Sequence, residues 1–213
     1  MAMTISKATC HQAIRVTALA LLMTLASGFS AQAHHVMGGR TPATFMEGLL
    51  SGLGHPVVGI DHLAFIVAMG VAVGAAGMSL LMPAVFVVAS AIGVALHVRG
   101  VVVPVAELVV AASVLLVGAM LASGRAMRAS IWIALFAVAG LFHGYAFGES
   151  IYGAERAPLL AYLAGLVLVQ AALATGIAIV TRRLGAGAVP ARLAGATIAG
   201  IGIAILAGQL LPA

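Results

Sequence analysis

Two imidazoles and a carboxylate, His55, Asp61 and His62, stand at the head of an apolar run that continues from Leu63 to Ala76. Ionisable groups are costly inside a bilayer, and where they occur they mark function by default. Imidazole together with carboxylate is a donor set for borderline divalent transition metals, whereas Mg2+ or Ca2+ calls for oxygen ligands alone. A plainer role for Gly54-His55-Pro56-Val57-Val58-Gly59-Ile60-Asp61-His62 is a helix start that Asp61 caps locally. The cost of burying an unpaired charge argues against it.

Spacing limits how these groups cooperate. His55 and His62 are two helical turns apart, so on a straight helix they point the same way but sit about 10 Å apart along the axis. One ion with bonds of about 2 Å cannot bridge that gap. Either the two form successive stations, or Pro56 and Gly59 break the helix and His55 folds back, as in transporter sites built from broken helices. Asp61 lies about 120° around the helix from His55. It is placed to reach Glu107 or His143, or to hold a ligating imidazole in its tautomer.

Further polar groups are sparse. Glu107 in Pro104-Val105-Ala106-Glu107 is a lone carboxylate in an apolar stretch, and Phe142-His143-Gly144-Tyr145-Ala146-Phe147-Gly148-Glu149-Ser150 carries a histidine and an acid. Arg99 is an alternative neutraliser for Glu107, and His97 beside it reads as a helix-end residue.

The elements that must position these residues follow from composition. The 213 residues are 63% hydrophobic and 7% charged, against about a quarter charged in an ordinary soluble domain. The chain is expected to be all-α, a polytopic transmembrane bundle. The net charge of +5 comes from scattered basic residues without interleaved aromatics, which sets nucleic-acid binding aside.

Residues 1–33 have the form of a signal peptide: Lys7 and Arg15 ahead of an apolar stretch from Val16 to Phe29, then Ala31-Gln32-Ala33. The alternative is an uncleaved first helix. Cleavage after Ala33 makes His34 the new N-terminus, where the α-amine and imidazole chelate one ion and His35 adds a third nitrogen. The only cysteine, Cys10, lies in the removed segment, so the mature chain has no thiol chemistry. Residues 34–55 are then a periplasmic segment and 56–213 a domain of six spans. These run from about Pro56 to Ala76, Leu80 to Val98, Val102 to Ala122, Ser130 to Gly148, Pro158 to Thr181 and Leu193 to Leu211. Glycines such as Gly70, Gly74, Gly195 and Gly202 fall within spans, as close packing of helices requires.

With the N-terminus periplasmic, Arg125, Arg128, Arg182, Arg183 and Arg192 fall on the cytoplasmic side and Arg40, Arg99 and Arg156 outside, in the sense of the positive-inside rule. Asp61, His62, His97, Glu107, His143, Glu149 and Glu155 then gather at the outer face of the inner membrane, as a polar vestibule.

His55-Pro56-x-x-Gly59-x-Asp61-His62 resembles the signature of the HupE/UreJ family of hydrogenase and urease accessory membrane proteins. The Pro-x-x-Glu of the third span and Phe142-His143-Gly144 resemble that family too, so the similarity spans nearly the whole chain. The resemblance implies a permease, not an enzyme, that admits Ni2+, or Co2+ in some branches, and it implicates His55, Asp61, His62, Glu107 and His143. Phe147 departs from the family pattern, which commonly has a second histidine there; Glu149 is a compensating ligand, and a divergent cobalt-type branch is open. No organic cofactor is implied. Partners are the ion, the bilayer, and either a second copy of the chain or a periplasmic metal donor.

Other classes fit less well. A serine protease needs a strained nucleophile, and Ser90 and Ser113 lack a Gly-x-Ser-x-Gly setting. A bis-histidine haem site from His97 and His143 leaves Asp61 and Glu107 without a purpose. A periplasm-facing metal sensor or donor that does not transport is the serious alternative.

Overall fold

A computed structural model describes residues 40–185 and 188–211. The expected signal segment and the His34-His35 pair lie outside the described residues. Among those described, the regular structure is entirely helical: α1 Phe45–Val58, α2 Ile60–Ala75, α3 Pro83–Val98, α4 Ala106–Ser123, α5 Ala129–Glu149, α6 Arg156–Arg183 and α7 Ala188–Leu210.

Local signals set several of these ends. Thr44 caps α1 and accepts from the Glu47 amide at 3.2 Å, while the Glu47 carboxylate accepts from the Thr44 amide at 3.1 Å. That is a reciprocal capping box. Pro83 opens α3, at a position where a missing N–H costs nothing. Gly124 closes α4 at φ 63°, in the left-handed region glycine tolerates.

The first expected span is therefore corrected. Its start at Pro56 falls inside α1, and the segment read as a periplasmic lead-in is helical from Phe45. α1 and α2 meet at Gly59 with a bend of 75°. The physical reason is packing that sequence hydropathy does not register: Gly48, Ser51 and Gly52 let α1 lie against α6. A Cβ at Gly48 or Gly52 would collide with the Pro158 or Tyr162 carbonyl.

Among the described residues, four helices, α4 to α7, are long and apolar enough to cross a membrane, and the bent α1–α2 pair, taken as one span, makes a fifth. α3 is apolar but has only 16 residues, about 24 Å of helix. Its partner is α5; α4 pairs with α7, and α1 with α6. α2 runs through the middle, touching α6, α4 and α7, and it carries Phe65, Ile66, Met69 and Val73 into the core.

Lipid tails are as apolar as leucine, so these pairs are held by close contact rather than by the hydrophobic effect. The expected glycine interfaces are present. Gly93 and Gly144 bring α3 and α5 into backbone contact, Gly118 and Gly195 do so for α4 and α7, and Gly70 and Gly74 seat α2 on α6. At the opposite end from the histidines, Arg192 donates to the Ala122 carbonyl at 3.0 Å and Arg182 to the Met78 carbonyl. Both cations cover carbonyls left open where a helix or its following turn ends.

Candidate functional site

The bend places the chemistry. The amide of Gly59 still donates to the His55 carbonyl at 3.1 Å, but its ψ of 108° turns the chain out of the helix. The rings of His55 and His62 consequently approach to 5.7 Å between centroids, edge to face. This is the folded-back arrangement, and the break is at Gly59, with Pro56 accommodated inside α1. Glycine is required at 59 for space: a Cβ would stand 2.6 Å from His62 Cδ2 and 3.1 Å from Asp61 Oδ1.

His143 completes a row of three imidazoles. Its Nδ1 is 2.8 Å from His62 Nδ1, and its Nε2 is 2.9 Å from the Ser113 hydroxyl. His55, His62, Asp61 and His143 are 3%, 4%, 5% and 0% exposed, so the row is shielded from lipid as well as from water. Asp61 accepts from the His62 backbone amide at 2.8 Å, in the first turn of α2, where a carboxylate also meets the positive end of the helix dipole. Its Oδ1 is 3.9 Å from His62 Nε2, too far for a hydrogen bond.

Three residues that sequence reasoning did not assign to the site, among them Ser113, weighed only as a nucleophile, finish it. Tyr162 of α6 donates to the Phe147 carbonyl at 2.8 Å and lies 3.0 Å from His55 Nδ1. Ser150 lies 2.7 Å from the same nitrogen, and Ser113 holds His143. No local pattern marks a tyrosine or a serine in an apolar helix. Their partners are 107, 95 and 30 residues away in sequence.

Phe147, where the family pattern commonly has histidine, is fully buried with its ring 4.2 Å from His62 and 5.1 Å from His55. An apolar ring therefore fills the space beside both imidazoles.

Other expected residues sit elsewhere on this end. Glu107 is exposed in the first turn of α4, just after Val105 in the left-handed conformation at φ 55°. Glu149 is exposed at the end of α5, and it is its neighbour Ser150 that reaches His55. His97 is half-buried against Tyr145 and Tyr152 at 4.5 and 5.8 Å between centroids. It is a helix-end residue. Tyr145 bonds to both Val101 O and Val103 N, tying the loop after α3 to α5. Among the described residues, no three His, Asp or Glu side chains form a ready cage for one ion. The imidazoles make a row of neighbouring pairs.

A bundle of long apolar helices, with a buried row of imidazoles towards one end, defines a multi-pass membrane protein. The chain belongs to the HupE/UreJ family, whose model, described as HupE / UreJ protein, matches residues 19–205. The curated Protein HupE of Rhizobium leguminosarum bv. viciae is 31% identical over 166 residues, covering 76% of this chain and 86% of that protein. No solved structure matches the chain significantly.

Proposed function

We propose that the protein is an inner-membrane permease for a divalent transition metal, nickel or alternatively cobalt, that supplies metalloenzyme or cofactor maturation. The observation that carries this reading is the bend at Gly59, which brings His55 and His62 into contact beside Asp61 and His143. Building such a cluster into an apolar bundle is costly and has no evident packing purpose.

Imidazole nitrogen with one carboxylate nearby suits a borderline cation, which in this reading is cargo. A row of imidazole pairs also suits passage better than storage: a conducting site must bind well enough to admit the ion and weakly enough, over several stations, to let it go. Six spans, counting α1–α2 as one and the short α3 as another, with cleavage after Ala33, put the imidazole end on the periplasmic side. The basic loops then face the cytoplasm, as the positive-inside rule favours. His34 at a cleaved N-terminus would capture the ion ahead of the row. The family's accessory role fits delivery to a nickel enzyme.

The test is accumulation of Ni2+ and Co2+ by cells that lack their own high-affinity uptake and express this chain alone. Accumulation above the empty-vector control is expected. Metal binding by the purified protein without any accumulation would replace the permease reading with that of a periplasm-facing sensor or donor.

A further inference from the structure

We infer that Gln170, anchored by Ser90, is a second and weaker station for the divalent cation, set further into the bundle than the imidazole row. The inference rests on the reading of the chain as a permease, and it follows from an amide that the fold buries without a full set of partners.

Ser90 of α3 and Gln170 of α6 are both 0% exposed. Ser90 Oγ donates to Gln170 Oε1 at 2.9 Å, with the Val87 carbonyl at 3.2 Å as a second acceptor. Nε2 of the amide is buried and has no hydrogen-bond partner among the described residues. A half-turn of the amide exchanges its two ends. Nε2 then donates to Ser90 Oγ, Ser90 gives its one hydrogen to Val87, and Oε1 takes the open side. That form makes one bond more. In either form one polar end of a fully buried amide is left over, and Leu166 and Ala174, a turn away on each side along α6, are apolar and equally buried. A bond between α3 and α6 does not by itself call for glutamine. Two hydroxyls would join the helices and leave nothing over, whereas an unpaired amide end costs free energy in an apolar interior.

Position points to the purpose. Tyr162, which touches His55, comes about two turns before Gln170, so the amide lies about 12 Å further along α6, toward the end that carries Arg182 and Arg183. Ser90 in turn abuts Gly144, the residue after His143. The pair therefore adjoins the row on its inner side, where a cation leaving the imidazoles arrives. An amide oxygen is a neutral, hard donor, and it holds a borderline cation or the water in its shell more loosely than imidazole does. Passage needs that order, since an ion held tightly at one station must find a looser one to leave it.

Three measurements on the full-length protein test the station: Ni2+ flux into proteoliposomes, Ni2+ affinity by calorimetry, and melting temperature in detergent. Gln170→Met keeps the shape of the side chain and removes its acceptor. The variant should melt no lower than wild type, because the leftover polar end goes with the amide and Ser90 keeps Val87 for its hydrogen. It should bind Ni2+ at the row with the wild-type Kd. Flux should fall by about tenfold or more, the equivalent of one hydrogen bond to a charged group. Gln170→Glu, which keeps an acceptor oxygen at the same reach, should restore flux. Wild-type flux through folded Gln170→Met, or Gln170→Glu no better than Gln170→Met, would overturn the inference and leave the permease reading standing. So would a Gln170→Met protein that fails to fold, or that loses Ni2+ affinity in step with flux, since either marks a structural bond. Bound Ni2+ with no flux through the wild-type protein would overturn the permease reading, and the station with it.

Discussion

Gly59 is where one atom decides the site. The position has φ −70° and ψ 108°, which any residue adopts, so its glycine answers to the His62 ring and the Asp61 carboxylate that crowd the missing Cβ. Gly59→Ala should leave the amount of protein in the membrane unchanged and weaken Ni2+ binding by about tenfold, since displacing a ligand's supports typically costs that much. Calorimetry on the purified variant checks it, and wild-type affinity would show that the ring position is not critical. Imidazole binds metal only when neutral. Uptake should therefore fall as the external medium is made acidic enough to protonate the imidazoles. A flat profile from about pH 5 to about pH 8, with the protein intact, would count against histidine ligation. At this scale the sequence was legible where chemistry is costly: His55, Asp61, His62 and His143 stand out because charge and imidazole are rare in apolar helices. Ser113, Ser150 and Tyr162 were not, because small hydroxyl groups are ordinary in such helices and only the fold reveals their partners.

Between elements, the glycines divide into two kinds. In some the missing Cβ faces another backbone, as at Gly144 against the Ser90 carbonyl; in others, such as Gly208 and Gly200, it faces open space. Gly144→Ala should destabilise the α3–α5 pair by about 1–3 kcal/mol, the usual cost of overpacking, seen as a lower melting temperature in detergent. Gly208→Ala should be neutral or slightly stabilising, because alanine is the better helix former. Equal melting temperatures for the two variants would remove the case for glycine-mediated packing. The helices from α3 onward were legible from hydropathy because their apolar runs are long. α1 was hidden for the opposite reason. Its length is interrupted by Gly48, Ser51, Gly52, Gly54 and Pro56, which lower its hydropathy while fitting it to α6. The Thr44-x-x-Glu47 capping box was the one local mark of its start.

Among the described residues, the histidines and acids gather at one end of the molecule, with Arg99 and Arg156, and most of the arginines gather at the other. The imidazole row, Glu149 and Glu155 lie with the α3–α4 and α5–α6 connections, and Arg125, Arg128, Arg182 and Arg192 lie with the others. Ala126 and Arg156 are both exposed, at opposite ends. In a background with Cys10 replaced, Arg156→Cys should react with a membrane-impermeant maleimide on intact cells, and Ala126→Cys only after lysis. The reverse pattern would invert the proposed orientation and put the imidazoles on the cytoplasmic side.

Permeation of a divalent metal past His55, Asp61 and His62 is what the bent helix pair is proposed to provide. Its most direct test is Ni2+ flux into proteoliposomes that contain a metal-sensitive dye and the purified protein, either wild type or with His62→Gln, Asp61→Asn or His55→Gln. Glutamine and asparagine keep volume and polarity while removing the imidazole or the charge. Flux through the wild-type protein should exceed that of empty vesicles, vanish with His62→Gln and Asp61→Asn, and persist in reduced form with His55→Gln. Wild-type flux through both His62→Gln and Asp61→Asn would rule out passage by way of these residues.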